Sequence, residues 1–333
     1  MDGKEAEALA LRLEAHPDYR VLRRLDAGWL GAPLAGESVS QAVVLDTETT
    51  GTDPGEDRVI EIALVKFEYD RASGEVGRVL DVYDGLEDPG RPIPPESTAI
   101  HHITDAMVAG KRLDERAIER VLDGVGIVIA HSAGFDRPFV ERRLPGFVAL
   151  PWACSVHEVP WDALGLGGRK LEYLAYRYGF FYEGHRAEVD CRALLEVLRR
   201  PVPGPDQTQA DAQAMLPGLD GEAVPGGVLR GRQAGKYPNA LGLLLESARV
   251  PTLRVWAIGS AYETKDVLKA RGYRWESERR VWFGEVGAAD REAELAWLKD
   301  AVYGGKGATI EVETIDARVR WSERSGAVVR VKL

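Results

Sequence analysis

Cysteine is scarce in this chain: Cys154 and Cys191 are the only two among 333 residues. Their positions give no zinc-ligand spacing, and so small a number suits a reducing cytoplasm. Each is flanked by apolar residues, where a small buried side chain is the ordinary reading and a reactive thiol the exception. Long apolar runs are missing too, so no segment is expected to span a bilayer. The first residues, "MDGKEAEALALRLEAHPDYR", are too acidic and too interrupted for a secretory signal. Excess positive charge is also lacking. A net charge of −10 excludes a protein whose main task is to coat nucleic acid by releasing counterions. It leaves room for an enzyme that meets phosphates through bound cations, because those cations bring the positive charge locally.

Four regions follow from pattern. Residues 1–40 form an N-terminal extension, helical over 4–25, with leucines that pack on the main domain. Residues 41–200 carry three strands in a meander ("AVVLDTET", "RVIEIALVKFEYD", "RVLDVYDGL") and then alternate strand and helix, which predicts a mixed sheet with helices on its faces. Residues 201–250 are rich in Pro, Gly, Gln and Ala and read as a linker with a short helix at "NALGLLLESAR". Residues 251–333 regain order as a small α+β module, with "ATIEVETIDARVRW" and "GAVVRVKL" as its last strands. That module holds 15 Lys and Arg against 13 Asp and Glu, so the acidic balance lies in the rest of the chain.

The chemistry gathers in the second region. In "VVLDTETTG" an apolar strand ends on Asp46 and Glu48, which period two aims at one side. Two such carboxylates repel, and burial raises the cost of charging both. At a strand end inside a sheet they suit Mg²⁺ or Mn²⁺, hard cations that prefer oxygen. An edge strand with both acids in water is the competing explanation. Asp136 follows the buried run in "IVIAHSAGFDRPFV" and opens a helix, where capping is the commonest use of an Asp. In "GHRAEVDCRALLEVL", His185 sits in a loop five residues before Asp190, the arrangement of a base that approaches a water held among acids.

Asp46-x-Glu48, Asp136 and His185-x4-Asp190, in this order, resemble the histidine-bearing DEDD exonucleases. "IPPESTAIHHITDAMV" is similar to the matching loop of DnaQ-like proofreading (epsilon) subunits of bacterial DNA polymerase III. The resemblance covers about residues 41–200. It implies an RNase H-like fold and a two-metal 3′–5′ exonuclease, with Asp46, Glu48, Asp136 and Asp190 holding two divalent cations and His185 as general base. Thr49 and His101 would then touch the substrate, with a loop histidine in water as the competing reading of His101. Ser132 stands where such enzymes more often have Asn. The substrate implied is a single-stranded 3′ end of DNA or RNA, and the implied partner class is a DNA polymerase or sliding clamp. "QAMLPG" at Gln213 is a poor form of a clamp-binding peptide. An RNA-trimming exoribonuclease and a non-catalytic accessory subunit on a nuclease fold stay open as alternatives.

In the last region "ETKDVLKARGYRWESERRVWF" interleaves basic residues with Tyr273, Trp275 and Trp282. It resembles the HARP-type modules attached to some DNA-processing enzymes, which implies nucleic-acid contact. Packing of both tryptophans in a small core competes with that reading.

Overall fold

A computed structural model describes residues 2–202 and 237–333. Helix α1 (Gly3–Glu14) is shorter than the sequence predicts. Asp2 caps it, accepting from the Glu5 amide while Glu5 reaches back to the Asp2 amide. His16 then precedes Pro17, and a proline disfavours helical backbone in the residue before it. The helix therefore stops, and Arg23–Arg24 form a short strand, β1. Leu9, Leu11 and Leu13 are exposed, so the expectation that they pack on the main domain fails. The extension is attached instead through β1 and through Leu25 and Trp29.

The meander is β2 (Val39–Thr49), β3 (Val59–Asp70) and β4 (Val76–Leu86), all antiparallel. Helices α2 (Pro95–His101), α3 (Asp105–Val108) and α4 (Glu115–Leu122) lead to β5 (Val125–Ala130), which lies parallel to β2 on its other side. After α5 (Ala133–Arg143) comes β6 (Trp152–Cys154), which closes the order β4-β3-β2-β5-β6. The sequence does not announce β6, because three residues cannot display a period of two. Helices α6 (Ser155–Glu158), α7 (Leu171–Arg177) and α8 (Ala187–Arg199) follow, with Phe180–Phe181 (β7) paired to β1.

Alternation along β2 splits the core into two layers. Ala42 and Val44, with Ala63, Val65 and Phe67 of β3, face the apolar side of α8. Val43 and Leu45, with Ile62 and Leu64, face α4 and α5. Both faces of the sheet are covered, which is why β3 is buried along almost its whole length. The fold is α/β, a mixed sheet flanked by helices, as the sequence predicts.

The short helix expected at "NALGLLLESAR" is present, but it belongs to the nuclease core rather than to a linker. Helix α9 (Ala240–Arg249) buries Leu241, Leu244 and Leu245 in the same layer as α8. Each such side chain contributes about 1.5–3 kcal/mol on burial, too much for a spacer. Pro201 and Asn239 form a β-bridge, which brings these two described positions side by side. Gln213 lies outside the described residues.

The C-terminal module begins two residues after α9. Strands β8 (Thr252–Trp256), β9 (Arg274–Glu276), β10 (Val281–Gly287), β11 (Thr309–Ile315) and β12 (Ala327–Lys332) form an antiparallel sheet in the order β12-β11-β8-β10-β9. Helices α10 (Lys265–Ala270) and α11 (Arg291–Trp297) cover one face, with Val255, Leu268, Leu298 and Ile310 between. The strand read over 308–321 ends at Ile315. There the Asp316 carboxylate accepts from the Arg318 amide at 2.8 Å and the chain turns away. Trp275 is 50% exposed, so it is not the core residue of the packing alternative, whereas Trp282 is partly buried against the core. Of the basic residues around it, Arg271 pairs with Glu294, Arg274 with Glu285 and Arg279 with Glu311. Among the described residues no helix is long and apolar enough to cross a membrane.

Candidate active site

The fully buried run Ala42–Leu45 fixes β2 in the middle of the sheet, and the acids begin where it ends. Asp46 and Glu48 continue the face that α8 covers, and Asp190 projects from α8 toward them. Oxygens of Asp46, Glu48 and Asp190 lie within 4.8 Å of one another. Asp136 arrives from the opposite layer on α5. It is buried and accepts from the Thr47 hydroxyl at 2.8 Å. It is not a helix cap, because Ser132 occupies that position without bonding through its side chain. Three of the four acids named from sequence thus form one cluster, and the fourth stands beside it on Thr47. All four gather at the carboxyl end of the parallel pair β2 and β5, the usual crevice of an open α/β sheet.

The cluster resists ionisation. Burial, then the Asp136 and Asp190 carboxylates, hold Asp46 well above the ordinary carboxylate value. Burial, then Asp190 and Glu61, push Glu48 up to about 8. Burial lifts Asp136 to about 7 against its Thr47 bond, and Asp190 to about 6 against the Arg186 amide. Oxygen donors alone, crowded and short of positive charge, are the donor set of a hard divalent cation.

A pH dependence follows from these values. An acid whose folded pKa is raised contributes stability that is complete below its unfolded pKa and lost as pH rises through the folded one. For these groups, metal-free protein should lose melting temperature as pH rises from about 4, where the unfolded acids ionise, to about 8, where folded Glu48 has ionised. A divalent cation binds the deprotonated forms, so it should raise the melting temperature more at the alkaline end and release protons on binding. Calorimetric titration in two buffers of different ionisation enthalpy measures that release; no release at neutral pH would contradict the assignment.

His185 is exposed on the segment that leads into α8 and has φ of 63°. That left-handed conformation is uncommon for a residue with a side chain and needs support from its surroundings. Arg186 supplies it. Its Nε and Nη2 donate to Glu61 Oε1 at 3.0 and 2.6 Å, and the Ala187 amide donates to Oε2 at 3.0 Å. Glu61 is 1% exposed in its side chain and lies opposite Glu48 on β3, so without Arg186 it would be a fifth repelling acid. Sequence reading passed over Glu61; the signal was an acid inside the apolar run "VIEIALV". Glu61→Gln should lower kcat about tenfold with KM unchanged, since a 1 Å misplacement can cost about 10²-fold. Steady-state kinetics check this, and an unaltered kcat would rule out the tether.

Thr49 is buried at the turn, its hydroxyl donating to the Gly51 carbonyl at 2.6 Å. His101 is 2% exposed, which overturns the loop-in-water reading. Its Nδ1 accepts from the Ile103 amide at 3.0 Å, so the ring proton sits on Nε2, a buried donor without a protein partner among the described residues. Burial lowers its pKa, which disfavours the charged ring. Cys154 and Cys191 are free and buried, and burial raises both thiols, Cys154 to about 12.

Comparison with known proteins places the nuclease region in a family. A family model described as an exonuclease, RNase_T, matches residues 43–198. The DNA polymerase III epsilon subunit of Treponema pallidum is 34% identical over 162 residues, 46% of this chain and 72% of that protein. A PolC-type DNA polymerase III of Thermotoga maritima is 33% identical over 169 residues; the match takes in 47% of this chain but only 12% of the polymerase. Among solved structures, exonuclease X in complex with 5′ overhanging duplex DNA is 29% identical over 46% of this chain and 88% of that one, with a TM-score of 0.33. The family match stops before α9 and the C-terminal module.

Proposed function

This chain belongs to the RNase_T exonuclease family, and on that premise we propose that it hydrolyses phosphodiesters from the 3′ end of DNA, releasing nucleoside monophosphates. The observation that carries the reading is the carboxylate cluster of Asp46, Glu48 and Asp190, with Asp136 at its side. These four residues would hold two Mg²⁺ or Mn²⁺ ions. When bound, the cations supply the positive charge that an anionic phosphodiester and its attacking and leaving oxygens require. His185, exposed at the rim, takes the proton of the attacking water. The buried Nε2–H of His101 offers a donor to a substrate oxygen, and the Thr49 amide a second contact near the terminal nucleotide.

DNA is favoured over RNA because the relatives at 33% and 34% identity are both DNA polymerase III proteins. A DNA polymerase or its sliding clamp is the partner class they suggest. The exposed Trp275 would give the C-terminal module a surface on which a base can stack.

The test is a 5′-labelled single strand incubated with the protein and Mg²⁺ or Mn²⁺. A ladder shortening from the 3′ end is expected on DNA. Shortening on RNA alone would move the protein to the exoribonucleases, and no shortening on either polymer would leave an accessory subunit.

A further inference from the structure

We propose that the loop Asp316–Trp321 of the C-terminal module is a positioning element of the nuclease site, acting on Asp136 through Arg137. The inference rests on the metal-site reading above. Arg137 follows Asp136 directly on α5 and is 0% exposed. A guanidinium cut off from water must find polar partners on every side. The nuclease fold gives it the Glu141 carboxylate at 2.7 Å and the Leu150 carbonyl at 3.4 Å. The other acceptors come from the C-terminal module: the carbonyls of Ala317 at 3.2 Å, Arg318 at 2.5 Å and Arg320 at 2.5 Å.

The loop is in turn held in place. The Trp152 amide of edge strand β6 donates to the Ala317 carbonyl at 2.7 Å, so the loop covers the end of the sheet. Arg320 forms a buried ion pair with Glu158 and donates to the Val250 carbonyl at 2.7 Å. The Trp321 indole donates to Glu158 at 3.1 Å and stacks on His157 at 5.1 Å. Trp321 has φ of 68°, a conformation a bulky residue keeps only where its surroundings enforce it.

Without the loop, Arg137 would keep Glu141 and Leu150 alone and would have to turn toward water. Pro138, inside α5, has no amide to brace the first turn. Turning Arg137 would therefore rotate the residue before it, Asp136, away from the cluster. The C-terminal module thereby becomes part of the nuclease site.

The test uses the full chain. Arg137→Gln should weaken Mn²⁺ affinity in calorimetric titration about tenfold, the low end of what loss of an outer-shell partner costs. It should lower kcat with KM for the oligonucleotide unchanged, and excess Mn²⁺ should restore most of the turnover. Trp321→Leu, which loosens the loop and leaves the guanidinium in place, should shift affinity the same way by less, and it decides the matter if Arg137→Gln fails to fold. Arg142→Ala breaks only the exposed Arg142–Glu323 pair of the same interface and should leave affinity alone. A lower melting temperature with unchanged Mn²⁺ affinity in the folded variants would overturn the inference while the metal-site reading stands. No Mn²⁺ binding by the unsubstituted protein would overturn both.

Discussion

Asp46→Asn removes turnover by about 10²-fold or more, the loss attached even to outer-shell partners of a metal, and at the same time makes the metal-free protein melt higher. The two effects share one cause. Asp46 stands among Asp136, Asp190, Glu48 and Glu61, and burial together with those charges opposes its ionisation. Its stability contribution is complete below the unfolded pKa of 3.8 and falls as pH rises toward the much higher folded value. Asparagine keeps the shape and drops the titration, so the gain over the unsubstituted protein should widen with pH. Each kcal/mol recovered corresponds to about 2–4 °C in a domain of this size. Saturating Mg²⁺ should then raise the melting temperature of the original protein and leave that of Asp46→Asn nearly unmoved. Melting curves with and without Mg²⁺ at two pH values measure all of this. A metal-free Asp46→Asn that melts lower than the parent would show that Asp46 is a structural acid.

The second large effect is at His185. Replacement by alanine should cost about 10²–10⁴ in kcat, the range for a general base, with Mn²⁺ affinity retained. Alanine also disturbs a left-handed backbone position, so the cleaner variant is His185→Asn, because Asn tolerates that conformation better than most residues. If both variants lose activity alike, the imidazole is what matters. If Asn restores activity, the side chain's work is to hold the loop, and the base lies elsewhere.

The sequence exposed the local part of this site and concealed the assembled part. Asp46 and Glu48 could be read because an apolar run and a period of two are properties of adjacent residues. The meander, α5 and α8 were readable on the same ground. Helix α1 is shorter than its sequence suggests because apolar spacing continues past His16, while the effect of Pro17 on its neighbour outweighs it. Strand β11 was extended because Asp316-Ala-Arg-Val-Arg-Trp keeps alternating, yet the Asp316 side chain finds the Arg318 amide and the strand stops. Helix α9 is legible as a helix in "NALGLLLESAR", but the Pro and Gly before it conceal that its leucines are core residues. Arg137 and the carbonyl of Arg320 are 183 positions apart, and no pattern links a side chain to a backbone oxygen at that distance. The bond from Arg186 to Glu61 hides for the same reason across 125 positions.

The bridge between Pro201 and Asn239 has a consequence for reach. A module hung on a flexible spacer explores a volume set by the spacer's length, and its effective concentration at the parent domain falls as that length grows. Here residues 203–236 span two points already joined by a β-bridge, so their length sets no such volume. A change in the length of that segment would leave the Asp316–Trp321 loop as near to Arg137 as before. The C-terminal module is held by Val250 and Pro251, two residues beyond a helix buried in the nuclease core, and its local concentration at that core cannot be diluted by anything done to the segment between.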